Sequence, residues 1–165
     1  MPQLGFENFD VAAGAELLTG CRFYFEAQGA VNPRPILEIA GLSVACPPAG
    51  GNANFGSYER GQKMRQATPT SQKFEVCVVK LVASSEIDLF TWYTECNNES
   101  GSQQWAARRI DSDIFAYNQN GDIQAHWTIQ RSYPCKYSGP EFKSEDENMA
   151  NESIELVHEG IIRME

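Results

Sequence analysis

The sequence is short of basic charge, of histidine and of long apolar runs, and each shortage removes a class of function. Thirteen Lys and Arg stand against 22 Asp and Glu, a net charge of −9. That excludes a nucleic-acid binder working through a broad basic face. No run approaches the ~18 apolar residues of a membrane-spanning helix. No Lys or Arg precedes Arg22 and no apolar stretch follows the start, so no secretory leader is expected, and assembly in the cytoplasm is. His126 and His158 are the only histidines, and Cys135 lies nine residues beyond His126, which is not a zinc-ligand spacing. They are read as two strand histidines, one solvated and one packed, with no metal site. There is no Gly-x-Ser-x-Gly elbow, no phosphate loop and no dinucleotide fingerprint, so neither catalyst nor cofactor is expected. The five cysteines (Cys21, Cys46, Cys77, Cys96, Cys135) include no Cys-x-x-Cys, and an odd number cannot pair within one chain. In a reducing cytosol they are read as small buried hydrophobes. The sequons at Asn98 and Asn151 matter only in a secretory pathway.

What is present fits one folded domain over residues 1–165, with residues 1–20 as an N-terminal arm. A domain of this size buries about 70% of its unfolded surface and needs no staples. Cys21–Ala27 is aromatic-rich and ends at Gln28-Gly29; Ile36–Val44 is a second extended run. From Cys46 to Gln72 the chain turns polar, with a basic cluster at Arg60, Lys63 and Arg65. A loop of that length is more often functional than idle. Phe74–Lys80 is β-branched; Val76 and Val78 are expected in the core, with Glu75, Cys77 and Val79 on the opposite face. Leu89, Trp92, Tyr93 and Cys96 form one helical stripe, predicting a helix over 86–96 capped by Ser85. Asn120-Gly121 signals a hairpin between Asp113–Tyr117 and Ile123–Arg131. Trp127 shares a face with Ala125 and Ile129, leaving His126 toward water. The acidic patch Glu145-Asp146-Glu147 reads as a solvated face. The last strand, Ser153–Glu159, sets Ile154, Leu156 and His158 against Glu155, Val157 and Glu159. Many short strands and one helix predict a mostly β fold, a barrel or sandwich.

The C-terminal third carries a resemblance. Trp127-Thr128-Ile129, then Tyr133-Pro134-Cys135-Lys136-Tyr137-Ser138-Gly139-Pro140-Glu141-Phe142, then Ser153-Ile154-Glu155-Leu156-Val157-His158-Glu159-Gly160 stand in one order. This resembles the tail tube proteins of contractile phages and phage-tail-like injection systems. Ile39-Ala40-Gly41-Leu42 is similar to that family's early strand end, and the helix with Phe90 and Trp92 sits where the family has its aromatic helix. The resemblance implies a small two-sheet β-barrel with a flanking helix. It implies hexameric rings whose inner strands merge and which stack into a tube for cargo. It also implies a contractile sheath, a baseplate or spike, and a terminal cap as partners. Tyr58, Glu59, Arg60, Lys63 and Arg65 then belong to a loop that joins rings, and Trp92, Trp127, Pro134, Gly139, Pro140, Ile154, Leu156 and His158 to the fold motif. Glu75, Glu155 and Glu159 are expected to face the lumen as an acidic wall along which an anionic cargo slides. Four strands from each of six subunits, about 4.8 Å apart and tilted about 40°, give a channel with a backbone diameter on the order of 45 Å. Two other readings stand beside this one. One is a ring protein of a type VI secretion system. The other is a monomeric β-barrel binding a small apolar ligand, which the polar His126 face disfavours.

Overall fold

The computed structural model describes residues 22–49, 58–59, 62–63, 68–99, 104–142 and 149–164. Six strands close a barrel: β1 (Phe23–Ala27), β2 (Val31–Ala40), β9 (Cys77–Val82), β10 (Ile110–Tyr117), β11 (Ile123–Ser138) and β12 (Asn151–Val157). They run in the order β10-β1-β2-β9-β12-β11, and a β10–β11 pairing shuts the ring. A short strand, β13 (Gly160–Arg163), adds to β11 beyond the closure. Between β2 and β9 three two-residue pairings lie outside the barrel sheet: β3 (Val44–Ala45) with β8 (Lys73–Phe74), β4 (Pro48–Ala49) with β7 (Thr68–Pro69), and β5 (Tyr58–Glu59) with β6 (Gln62–Lys63). Their nested order makes the expected 46–72 loop an interrupted β-hairpin, an arm.

Period-two alternation fills the barrel. Phe25, Ala27, Val79, Leu81, Ile114, Ala125, Ile129, Ile154 and Leu156 are all 2% exposed or less, and the interior is packed rather than hollow. β2 tolerates Pro33 and Pro35 because its pairing with β9 begins only at Ile36, so its first half needs no N–H donors on that side. β11 is long enough to serve three partners, with β13 and β12 following one another along one of its edges. Its first part pairs with β10, and Tyr133–Ser138 pairs with β12. Arg131 lies at the change of partner with φ 47°, a left-handed kink. Its N–H donates to Asp111 Oδ1 at 2.8 Å, which holds the kink.

Three expectations are corrected. On β9 the faces are inverted: Cys77, Val79 and Leu81 are fully buried, while Val76 is 43% exposed. Glu75 and Val76 precede the strand, whose pairing with β12 starts at Cys77 and fixes the register. The helix α1 is Asp88–Cys96, two residues shorter than expected, and no side chain caps it. Ser84, not Ser85, accepts the Glu86 N–H (3.2 Å), and the Glu86 and Asp88 carboxylates are drawn to Arg34. The cysteines divide. Cys77 and Cys96 are buried, Cys46 and Cys135 are exposed, and Cys21 lies outside the described residues.

Candidate functional site

Two features lie at opposite ends of β2. Where β2 ends, Gly41 turns the chain toward the arm at φ +87°, and a Cβ there would meet the Val76 carbonyl oxygen at 2.2 Å. Only glycine allows that approach. Ser43 Oγ donates to Glu75 Oε2 (2.8 Å) and Cys46 Sγ to the Thr70 carbonyl (2.9 Å), tying the two sides of the arm's base. His158 Nε2 donates to the Glu75 carbonyl (2.9 Å), and its ring lies 5.6 Å from Phe74. His158 therefore braces the arm against β12.

Where β2 begins, Arg34 is 4% exposed and holds three carboxylates: Glu152 at 2.7 Å, Glu86 at 3.1 Å, and Asp88. Tyr137 Oη donates to the other oxygen of Glu152 (2.9 Å), and Asp88 also accepts the Asn32 N–H (3.2 Å). One guanidinium thus joins β2, β12 and the start of α1. A cleft of about 530 Å³ opens beside it, lined by Gln28, Asn32, Glu86, Asp88, Glu95 and Arg108 among others.

The flank between these ends carries paired charges. Lys80 meets Glu38 at 2.5 Å and Lys136 meets Glu155 at 2.7 Å. Glu159 bonds Arg109 and lies 3.4 Å from Arg131. The acids expected to make a bare negative wall thus meet partners within their own subunit: Glu155 and Glu159 meet bases, and Glu75 meets Ser43. On the far side of the barrel His126 is not simply solvated. Its Nε2 donates to Asp113 Oδ1 (2.8 Å), and its ring stacks on Phe115 at 4.4 Å. Thr128 Oγ1 donates to the same carboxylate oxygen (2.6 Å), and Gln28 Nε2 donates to the other (3.3 Å). Burial pushes the Asp113 carboxyl up, but these bonds outweigh it and hold it below the usual value.

The remaining sequence-derived residues fall as follows. Trp92, Pro134, Ile154 and Leu156 are fully buried. Trp127 only covers the core from a half-buried position, with the Arg163 guanidinium 5.4 Å from its ring centre. Gly139 and Pro140 lie past the end of β11, partly exposed. Tyr58, Glu59 and Lys63 belong to the outermost described pairing of the arm; Arg60 and Arg65 lie outside the described residues. Glu145-Asp146-Glu147 also lies outside them. Sequence reasoning missed Arg34, whose only signal was a charge set between two prolines.

The described residues thus form a closed six-stranded barrel with one helix and a hairpin arm outside the barrel sheet. The T4-like virus tail tube protein gp19 family matches residues 19–162, and the chain belongs to that family. It is a structural tube subunit. Comparison with curated proteins gives no match. Among solved structures it is similar to a chain of the PVC sheath-tube complex, an extracellular contractile injection system in the extended state. The TM-score is 0.68 and the identity 17%, over 92% of this chain and 94% of that one. It is similar to a chain of the anti-feeding prophage cap (TM-score 0.69, 14% identity, 94% and 98% covered). Hcp1 from Flavobacterium johnsoniae shares the fold at TM-score 0.57 and 14% identity, over 87% and 94%.

Proposed function

We propose that residues 1–165 act as one domain that closes into hexameric rings, and that the rings stack into the hollow inner tube of a contractile tail or injection system. The role is mechanical and not enzymatic. The tube is assembled in the cytoplasm, inside a contractile sheath, between a baseplate or spike and a terminal cap, and it conducts cargo. The observation that carries this reading is the arm: three pairings outside the barrel sheet, which add nothing to the barrel and which this reading gives to a neighbour. The four-stranded run β2-β9-β12-β11 lines the channel, presenting Glu38, Lys80, Glu155 and Lys136 to water, with Glu75 and Glu159 flanking it. Support comes from the alternation on these strands: apart from Glu152 the barrel side is apolar, while the outer side is mixed, Lys80 between Val78 and Val82 on β9 and Glu155 between Ser153 and Val157 on β12. The packed interior argues against a monomeric barrel holding an apolar ligand. Negative-stain imaging of purified protein tests the reading: rings and tubes are expected, and small particles at every concentration and salt overturn it.

A further inference from the structure

The cleft beside Arg34 has a chemistry that the barrel does not need. Its carboxylates Glu86, Asp88 and Glu95, with Glu152 behind them, face two guanidiniums, Arg34 and Arg108. Two negative charges are left over at one end of the subunit. Glu86 keeps half of its side chain in water despite its ion pair, and Ile87 beside it is 73% exposed. This is a pocket with an acidic wall and an apolar lip. Elsewhere the sequence concentrates the opposite charge. Arg60, Lys63 and Arg65 lie within six residues, with Glu59 the nearest acid, in a chain of net charge −9.

The fold places the root of the arm and the cleft at opposite ends. The arm leaves where β2 ends and β9 begins; the cleft lies where β2 begins and β9 ends. Ten residues of strand separate those ends by about 33 Å. The fifteen steps from Val44 to Glu59 span at most ~50 Å, so the arm can cross from one subunit to the near end of another stacked on it. A head-to-tail contact of this kind uses two different surfaces and repeats without closing, as a tube of stacked rings requires.

We propose that the basic segment 60–65 of one subunit docks in the Glu86–Asp88–Glu95 cleft of a subunit in the adjacent ring. The inference rests on the reading of the arm as the ring-stacking element and names its receptor. The contact is electrostatic at its centre, with the arm's apolar atoms against Ile87. Ring closure does not depend on it; stacking does.

The test compares three proteins by sedimentation, negative stain and native mass. Deleting 52–68 tests the arm. Glu95→Lys tests the cleft at a half-exposed position that is no part of the Arg34 cluster. The third protein joins Glu95→Lys to Arg60→Glu and Arg65→Glu. A thermal melt of each confirms that the subunit folds, and Glu95→Gln serves if the lysine variant does not. Glu95→Lys is expected to keep rings and to raise the concentration needed for tubes about tenfold or more, since like charges across a contact are repelled. The combined variant is expected to recover most of that loss. If deletion abolishes tubes while Glu95→Lys stacks normally, the arm docks elsewhere and this inference falls, with the stacking reading intact. If the deletion itself still forms tubes, the stacking reading falls and takes the inference with it.

Discussion

Single side chains separate what holds this subunit from what it offers to neighbours. Trp92 is 2% exposed and its indole N–H donates to the Arg108 carbonyl at 3.3 Å. Trp92→Ala is expected to cost about 3–5 kcal/mol, read as a fall in the denaturant midpoint. Trp127→Ala is expected to cost less, because that ring lies over the core instead of within it. An equal or larger loss at Trp127 would reverse this order. Asp113 gives a pH signature. Its carboxyl is held below the ordinary value of about 3.9, so it stabilises the fold above that pH. The contribution is lost as pH falls through 3.9 toward the lowered value. Asp113→Asn should therefore flatten the acid limb of stability below about pH 4, and leave the slope near neutrality unchanged. The thiols differ for a related reason. Burial raises Cys77 to about 12 and Cys96 to about 11 and closes both to reagents; desolvation also raises Cys135, but Cys135 and Cys46 are exposed. Maleimide at neutral pH should therefore label Cys46 and Cys135 in the folded protein and spare the buried two. The helical stripe already marks Cys96 as buried, but the sequence could not divide Cys77 from Cys135, because burial of a strand cysteine depends on register. The same limit hid the Asp113 partner of His126: alternation puts a histidine on a face, but only the pairing Phe115↔His126 brings Asp113, two residues along β10, into its reach.

At the level of elements, the strands followed alternation wherever both faces differ, as on β12, and failed where they do not. β9 reads Val-Cys-Val-Val across its start, so either phase satisfies an apolar pattern, and pairing with β12 decides it. The helix start was misplaced for an electrostatic reason: Arg34, distant in sequence, takes Glu86 and Asp88 out of local capping. The arm was legible as a long polar interruption but not as a hairpin, because its paired pieces are two residues long. Its hinge is legible only through the resemblance, which puts a strand end at Ile39-Ala40-Gly41-Leu42; the extended run expected over Ile36–Val44 crosses Gly41, whereas β2 stops at Ala40. Gly41→Ala is expected to destabilise by more than ~1 kcal/mol, since the added methyl meets backbone and the φ is left-handed. Limited proteolysis should then cut the arm sooner than in the parent protein. Unchanged cleavage and an unchanged midpoint would mean that the arm's base is not set by this turn.

At the scale of the whole molecule, the proposed tube asks how a chain of net charge −9 would pack six to a ring around water. On the proposed channel face the charges cancel locally, Glu38 with Lys80 and Glu155 with Lys136. Such a wall neither attracts nor repels a charged cargo strongly, and a ring does not have to hold six bare carboxylates together. Exposed pairs of this kind add little to the stability of one subunit, so their effect should appear only on assembly. Lys80→Glu with Lys136→Glu places two unpaired acids per subunit at each of these sites, twelve new like charges in a hexamer. Repulsion between them reaches about 8 Å at physiological salt and about 3 Å at 1 M. The variant subunit should therefore melt within a degree or two of the parent. Its rings should form poorly at low salt and recover as salt is raised, while the parent's yield changes little. If the double variant assembles as well as the parent at low salt, these strands do not line a confined channel, and the channel face belongs on the other side of the barrel.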